Sequence, residues 1–249
     1  MKKRVAVVIP ARFGSTRLPG KPLVDLGGKP LIARVIERAQ KLPSAYRLYV
    51  AADDPRVAEA ARLSGGEVVM TSELCQSGTD RVASAVHRVK CDLVVNLQGD
   101  EPLFPLEGVE GAVNLLENRR DLDMATVMTP LESLEEWKDR NVVKVVVDRQ
   151  GAALFFSREP IPFSFDPLSE EDLRLLPVFR HVGIYVYRRE RLLQFAETAQ
   201  TPWEKSERLE QLRALELGWK IGTVKVDSAP RGIDTTEDLA RLRLFFENH

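Results

Sequence analysis

The feature that most constrains this chain is the alternation of short apolar runs with amphipathic stretches over its first hundred residues. Val5–Ile9, Arg47–Ala52, Glu67–Thr71 and Asp92–Leu97 read as strands. Between them, Leu31–Lys41, Pro55–Ser64 and Thr79–Lys90 carry apolar residues at helical spacing, as with Leu31, Ile32, Val35, Ile36 and Ala39. Strands that are apolar on both faces, joined by helices, predict an α/β fold with a mostly parallel central sheet flanked by helices. The chain of 249 residues is 44% hydrophobic and 29% charged, enough for a sizeable core. Its net charge of −1 gives no global field toward nucleic acid or membrane, so any anion site must be local. The apolar run after Met1 is too short for a signal-peptide core or a membrane span, and Cys75 and Cys91 are too few for a disulfide framework. A reducing, cytoplasmic location fits.

The middle of the chain changes character. Val142–Val147 and Ala152–Phe156 flank Asp148-Arg149-Gln150-Gly151, a hairpin signal. Residues 160–177, with four prolines, read as a long surface connection. Phe179–Tyr187 reads as a strand and Trp203–Leu217 as one helix. Lys220–Val226 reads as a strand, and Thr235–Glu247 as a terminal helix capped by Thr235 with Asp238. The whole, 1–249, reads as one domain with a β-rich insertion at roughly 130–190.

Five segments bear on chemistry. "IPARFGSTRLPGKPL" follows the first strand with Arg12, Arg17 and Lys21 and no acid. Strand, basic Gly-containing loop and helix form a phosphate cradle, although a solvated loop has the same composition. The loop has neither the GxGxxG nor the GxxxxGK[ST] spacing, which weakens the case for the two commonest nucleotide folds. "SELCQSGTDRV" places Ser77, Gly78 and Thr79 at a helix start, which an ordinary N-cap also explains. "VVNLQGDEPLF" runs a buried strand into Gln98-Gly99-Asp100, and an acid beyond a strand's carboxyl end is placed to hold a hard cation or to serve as a turn acid. "RGIDTTEDL" supplies Asp234 just before a helix, where an acid also suits the dipole. In "FRHVGIYVY", alternation puts His181, Gly183, Tyr185 and Tyr187 on one face and Val182, Ile184 and Val186 on the other.

The run A-R-x-x-S-T-R-L-P-G-K-P-L closely resembles the signature loop of sugar-activating cytidylyltransferases. With QGDEP, R-H-x-G-I-Y and G-I-D-T-x-E-D-L, the chain most resembles the 3-deoxy-manno-octulosonate cytidylyltransferase (CMP-Kdo synthetase) family, from Pro10 to the terminal helix. The resemblance implies a nucleotidyltransferase fold and transfer of CMP from CTP to Kdo, releasing pyrophosphate, for lipopolysaccharide synthesis. It implies that Ala11, Arg12, Ser15, Arg17 and Lys21 meet the nucleotide, with Lys21, Arg17 and Asp100 catalytic. Ser77, Gly78 and Arg81 would lie near the cytosine edge. Gln98, Arg158, His181, Tyr185 and Glu210 would bind the sugar, and Asp100 with Asp234 would hold Mg²⁺. A homodimer joined through the β-rich segment is also implied. The family usually has histidine where this chain has Cys75, and nothing is assigned to that residue. Rival readings are a cytidylyltransferase for sialic acid or 8-amino-Kdo, and a non-catalytic nucleotide-binding protein on the same fold.

Overall fold

The computed structural model describes residues 3–14, 19–233 and 235–247. The chain packs as two compact units, Met1–Leu106 with Pro230–His249, and Glu107–Ala229. The segment read as the β-rich insertion lies within the second.

In the first unit, β1 (Val5–Ala11), β2 (Ala45–Ala52), β3 (Glu67–Met70) and β4 (Leu93–Asn96) form parallel neighbours in the order β3-β2-β1-β4. The expected strands and crossover helices are present: α1 (Leu31–Ala39), α2 (Pro55–Leu63) and α3 (Gly78–Val86). The apolar stripe of α1 is wholly buried. Asp54 caps α2 by accepting from the Arg56 N–H, Pro55 occupies the first turn, and Gly65 turns left-handed beyond its end. Ser77 and Asp80 close a capping box on α3. The closing helix, α10 (Thr236–Glu247), is preceded by Thr235, whose hydroxyl oxygen accepts from the Asp238 N–H while the Asp238 carboxylate accepts from the Thr235 N–H. Because all four strands run the same way, the segments after β1, β2, β3 and β4 emerge at one edge. That edge is where open α/β sheets bind ligands.

The sequence reading passed over three elements of the second unit: α4 (Leu106–Asn118), all of it but its first residue, β5 (Met124–Thr129) and α5 (Leu134–Lys138). The hairpin is confirmed as β6 (Lys144–Val147) and β7 (Ala153–Ser157), antiparallel, with the Asp148 carboxylate accepting from the Gln150 and Ala152 N–H groups. Residues 160–177 are not loop throughout. Ser169 and Asp172 close a capping box on α6 (Glu170–Leu175), whose Leu173 joins Leu131, Trp137, Val142 and Val178 in a core cluster. The proline content of the segment hid this box.

Next come β8 (Val178–Arg188), α7 (Arg189–Glu197), α8 (Pro202–Glu207), α9 (Gln211–Glu216) and β9 (Ile221–Lys225). β5 pairs antiparallel with β8 and parallel with β9, and β6 joins β7 to β8. The expected alternation along β8 is incomplete: Ile184 to Tyr187 are all buried. The register jumps from Thr126↔Tyr185 to Val127↔Val182, so Gly183 and Ile184 bulge out of the pairing. The single helix expected over 203–217 is broken. Arg208 adopts φ 54°, ψ 48° and ends α8. A non-glycine residue there costs on the order of 1–3 kcal/mol, so surrounding contacts must impose it.

Candidate active site

The loop after β1 starts at buried Ala11 and exposed Arg12 and closes when the Gly20 N–H donates to the Phe13 carbonyl at 3.0 Å. Gly20 has φ 70° with the Phe13 ring packed against it, a conformation that disfavours any side chain. Ser15 and Arg17 lie outside the described residues. Directly after Gly20, the Lys21 ammonium sits 2.5 Å from the Asp100 carboxylate. Two segments that are 79 residues apart in sequence thus meet at the ends of β1 and β4. Gly99 makes this approach feasible, since a Cβ there would come within 2.8 Å of the Pro10 carbonyl oxygen. Gln98 lies beside the start of α3, its amide oxygen 3.6 Å from where a Gly78 Cβ would be.

The segment before the closing helix returns to the same place. The Ile233 N–H donates to the Asp100 carbonyl at 3.0 Å, and Gly232 packs on the Asp100 and Glu101 backbone and side chain. Asp234, the next residue, lies outside the described residues. Among the described residues no group of three or more His, Cys, Asp or Glu side chains could hold a metal ion by itself. An oxygen-only site offering a partly exposed carboxylate suits Mg²⁺, which fills its shell from substrate phosphates and water, rather than a metal that demands an all-protein cage.

At the loop before α3, the Ser77 hydroxyl oxygen caps the helix by accepting from the Asp80 N–H at 3.1 Å, as an ordinary N-cap does. Arg81 is deeply buried. Its guanidinium pairs with Asp53 at 2.9 Å and donates to the Thr71 hydroxyl at 2.7 Å and the Ser72 carbonyl at 3.3 Å.

The remaining expected residues belong to the second unit. His181 packs edge-on against Phe156 at 4.9 Å between centroids and at a tilt against Tyr185 at 5.5 Å. Its Nε2 lies 2.8 Å from the Thr126 hydroxyl oxygen, while that hydroxyl donates to the Ile184 carbonyl at 2.7 Å. The network therefore assigns the imidazole proton to Nε2 and leaves Nδ1 as an acceptor. Burial, and next the nearby Arg180 charge, push the His181 pKa down to about 3, so the ring is neutral at physiological pH.

The Tyr185 hydroxyl donates to the Gln211 side-chain oxygen at 3.1 Å. Gln211 is buried, and its Nε2 has no hydrogen-bond partner among the described residues. Sequence reading missed it, although it directly follows Glu210 in the same motif.

Arg158 is held from several sides. The Glu207 carboxylate accepts from the Arg158 N–H at 2.9 Å and the Ser157 hydroxyl at 2.7 Å. The guanidinium donates to the Glu207 carbonyl at 2.9 Å and the Arg140 carbonyl at 3.1 Å. Buried Lys144 donates to the carbonyls of Arg158, Asp139 and Val142, and burial lowers its pKa below the usual lysine value. These contacts explain the kink at Arg208. An unbroken helix would not present Glu207 to Arg158 and, three residues later, Glu210 and Gln211 at the start of α9. Glu204 and Arg213 lock the two helices together through a buried ion pair.

The family described as Cytidylyltransferase matches residues 6–221. A 3-deoxy-manno-octulosonate cytidylyltransferase of Syntrophotalea carbinolica is 46% identical over 96% of both chains. One from Geobacter metallireducens is 44% identical, again over 96% of each. The solved structure of a CMP:2-keto-3-deoxy-manno-octonic acid synthetase complexed with CTP superposes with TM-score 0.91 at 40% identity, covering 98% of this chain and 99% of that one. The α/β architecture with a mostly parallel central sheet flanked by helices is therefore that of the synthetase. With 96% of its length matched to these relatives and residues 6–221 to the family, this chain belongs to the 3-deoxy-manno-octulosonate cytidylyltransferase family.

Proposed function

We propose that the protein transfers CMP from CTP to the anomeric hydroxyl of Kdo. The hydroxyl oxygen forms a bond to the α-phosphorus, the bond from that phosphorus to the bridging oxygen breaks, and pyrophosphate leaves while the hydroxyl proton passes to water. The observation that carries this reading is the Lys21–Asp100 pair at the ends of β1 and β4, a cation and an acid in contact where the sheet presents its ligand edge.

Arg12, Arg17 and Lys21 bind the triphosphate, and Lys21 neutralises charge that builds on the α-phosphate. Ala11, Ser15 and the Ser77–Gly78 turn complete the nucleotide contacts. Gln98, Arg158, His181, Tyr185 and Glu210 bind the sugar acid, with Gln211 as an addition to that set. Arg158 supplies charge for the carboxylate, and the neutral His181 offers Nδ1 as an acceptor for a hydroxyl. Mg²⁺ fits beside Asp100, which with Asp234 would hold it. The metal would supply Lewis-acid polarisation of phosphate and hydroxyl oxygens. Alignment and charge neutralisation account for catalysis without a covalent intermediate.

Exposed Leu154, Phe163 and Phe165 in the second unit support pairing of two copies through the β-rich segment, a dimer that sedimentation would detect. No helix among the described residues is long and apolar enough to cross a membrane.

The test is product analysis by mass spectrometry after incubation with CTP and, separately, Kdo, 8-amino-Kdo or sialic acid. A CMP-sugar formed from Kdo is the expected result. A product from another acid alone would move the substrate assignment, and no product from folded, CTP-binding protein would favour a non-catalytic role.

A further inference from the structure

Asp53, at the end of β2, touches two loops at once. Its Oδ1 accepts from the Phe13 N–H at 2.9 Å, in the loop after β1, one residue beyond Arg12. Its Oδ2 lies 2.9 Å from the Arg81 guanidinium, and these two side chains are only 9% and 3% exposed. Arg81 in turn donates to the Thr71 hydroxyl and the Ser72 carbonyl, where the loop after β3 begins. Thr71 is itself tied to the end of β2, its N–H donating to the Ala52 carbonyl at 2.8 Å.

A buried ion pair adds little net stability over apolar packing, and the sheet beneath this one is already apolar. What the pair does supply is a fixed distance and orientation between two segments that have no direct ladder to each other at this end of the sheet.

We propose that Asp53 and Arg81 are positioning residues that set the loop after β1 and the loop after β3 in one register, and that this register underlies selection of cytosine over uracil. The inference rests on reading these loops as the nucleotide site. Cytosine and uracil differ by an exchange of donor and acceptor at positions 3 and 4 of the ring. A site tells them apart only when its own donors and acceptors are held within hydrogen-bond tolerance of the base while the phosphates are held elsewhere. Arg81, with its guanidinium committed to Asp53, Thr71 and Ser72, acts on the base through the loop it holds.

The test compares binding of CTP and UTP by calorimetry, without sugar, in wild-type protein, Asp53→Asn and Thr71→Val. Asp53→Asn keeps an acceptor for the Phe13 N–H but removes the charge facing Arg81. The preference for CTP over UTP is expected to fall about tenfold, mostly through weaker CTP binding. Thr71→Val leaves the ion pair and a β-branched shape in place but removes one Arg81 acceptor. Its preference is expected to fall roughly threefold, and it serves should Asp53→Asn fail to fold. An unchanged preference in the folded variants, with only a lower melting temperature, would overturn the proposal and make the pair purely structural. Wild-type protein that binds both nucleotides equally would instead overturn the reading of the site, and the selection role with it.

Discussion

The two groups of expected residues are built in opposite ways. In the first unit, Arg12, Lys21, Ser77, Gln98 and Asp100 stand on segments that directly follow parallel strands. Once the strands pair, topology alone brings them to one edge. In the second unit, Arg158, His181, Tyr185, Glu210 and Gln211 depend on a bulge in β8, a left-handed residue between α8 and α9, and a mesh of side-chain bonds. The first arrangement needs little beyond strand pairing, and close backbone approaches at Gly20 and Gly99, to gather its residues. The second is over-determined, so its geometry is only as good as the residues behind it.

The largest effects should fall on the first arrangement. Lys21→Ala and Asp100→Ala are each expected to lower kcat/KM by about 10²–10³-fold with the circular dichroism spectrum unchanged. Near-wild-type turnover in both would break the comparison at its centre. Gln98→Ala should raise the KM for sugar or lower kcat while leaving CTP affinity largely intact, and a change confined to CTP affinity would contradict its role.

In the second arrangement the supporting residue should matter without touching substrate. Glu207→Ala removes the acceptor for the Arg158 N–H and the Ser157 hydroxyl. It is expected to raise the sugar KM about tenfold and to cost about 1–3 kcal/mol of stability, with Glu207→Gln recovering part of both. An equal rise in the CTP KM would show that the support is not confined to the residues proposed to bind sugar.

A smaller effect tests the neutral imidazole. His181 is held neutral in the fold, with a pKa of about 3 against an ordinary 6.5, so the unfolded chain takes up a proton that the folded one refuses. This contribution to stability is complete above about pH 6.5 and is lost progressively as pH falls toward 3. His181→Gln should therefore lose less melting temperature than wild type between pH 7.5 and pH 5. Parallel curves would mean that the imidazole titrates normally.

The smallest effect concerns the kink. Arg208→Gly should be neutral or stabilising by up to about 1 kcal/mol, because glycine accepts φ 54° without strain, whereas Arg208→Val should destabilise. A destabilising glycine would mean that the Arg208 side chain itself is needed.

The same contrast decides what could be read from the sequence. The strands and helices of the first unit were legible because apolar runs, caps and glycines are local signals, as at Asp54-Pro55 and Ser77-Gly78-Thr79-Asp80. QGDEP was legible because glycine and acid follow a buried run directly. Asp53 was not, since its partners, Phe13 and Arg81, are supplied by pairing with distant segments. Nor was the break at Arg208, where helical periodicity continues through Trp203–Leu217 while Glu207 and the Glu204–Arg213 pair demand a turn. Gln211 followed the same fate, because only that turn delivers it to Tyr185. Strict alternation along β8 failed for a tertiary reason too: the bulge at Gly183 and Ile184 exists only against β5.

Joining of CTP to Kdo is tested most directly by pyrophosphate release from CTP with Mg²⁺, followed continuously as Kdo is added to wild-type protein and to Lys21→Ala. Release is expected to begin only on addition of Kdo and to fall by at least about 10²-fold in the variant. Release that ignores Kdo, or that survives the loss of Lys21, would contradict it.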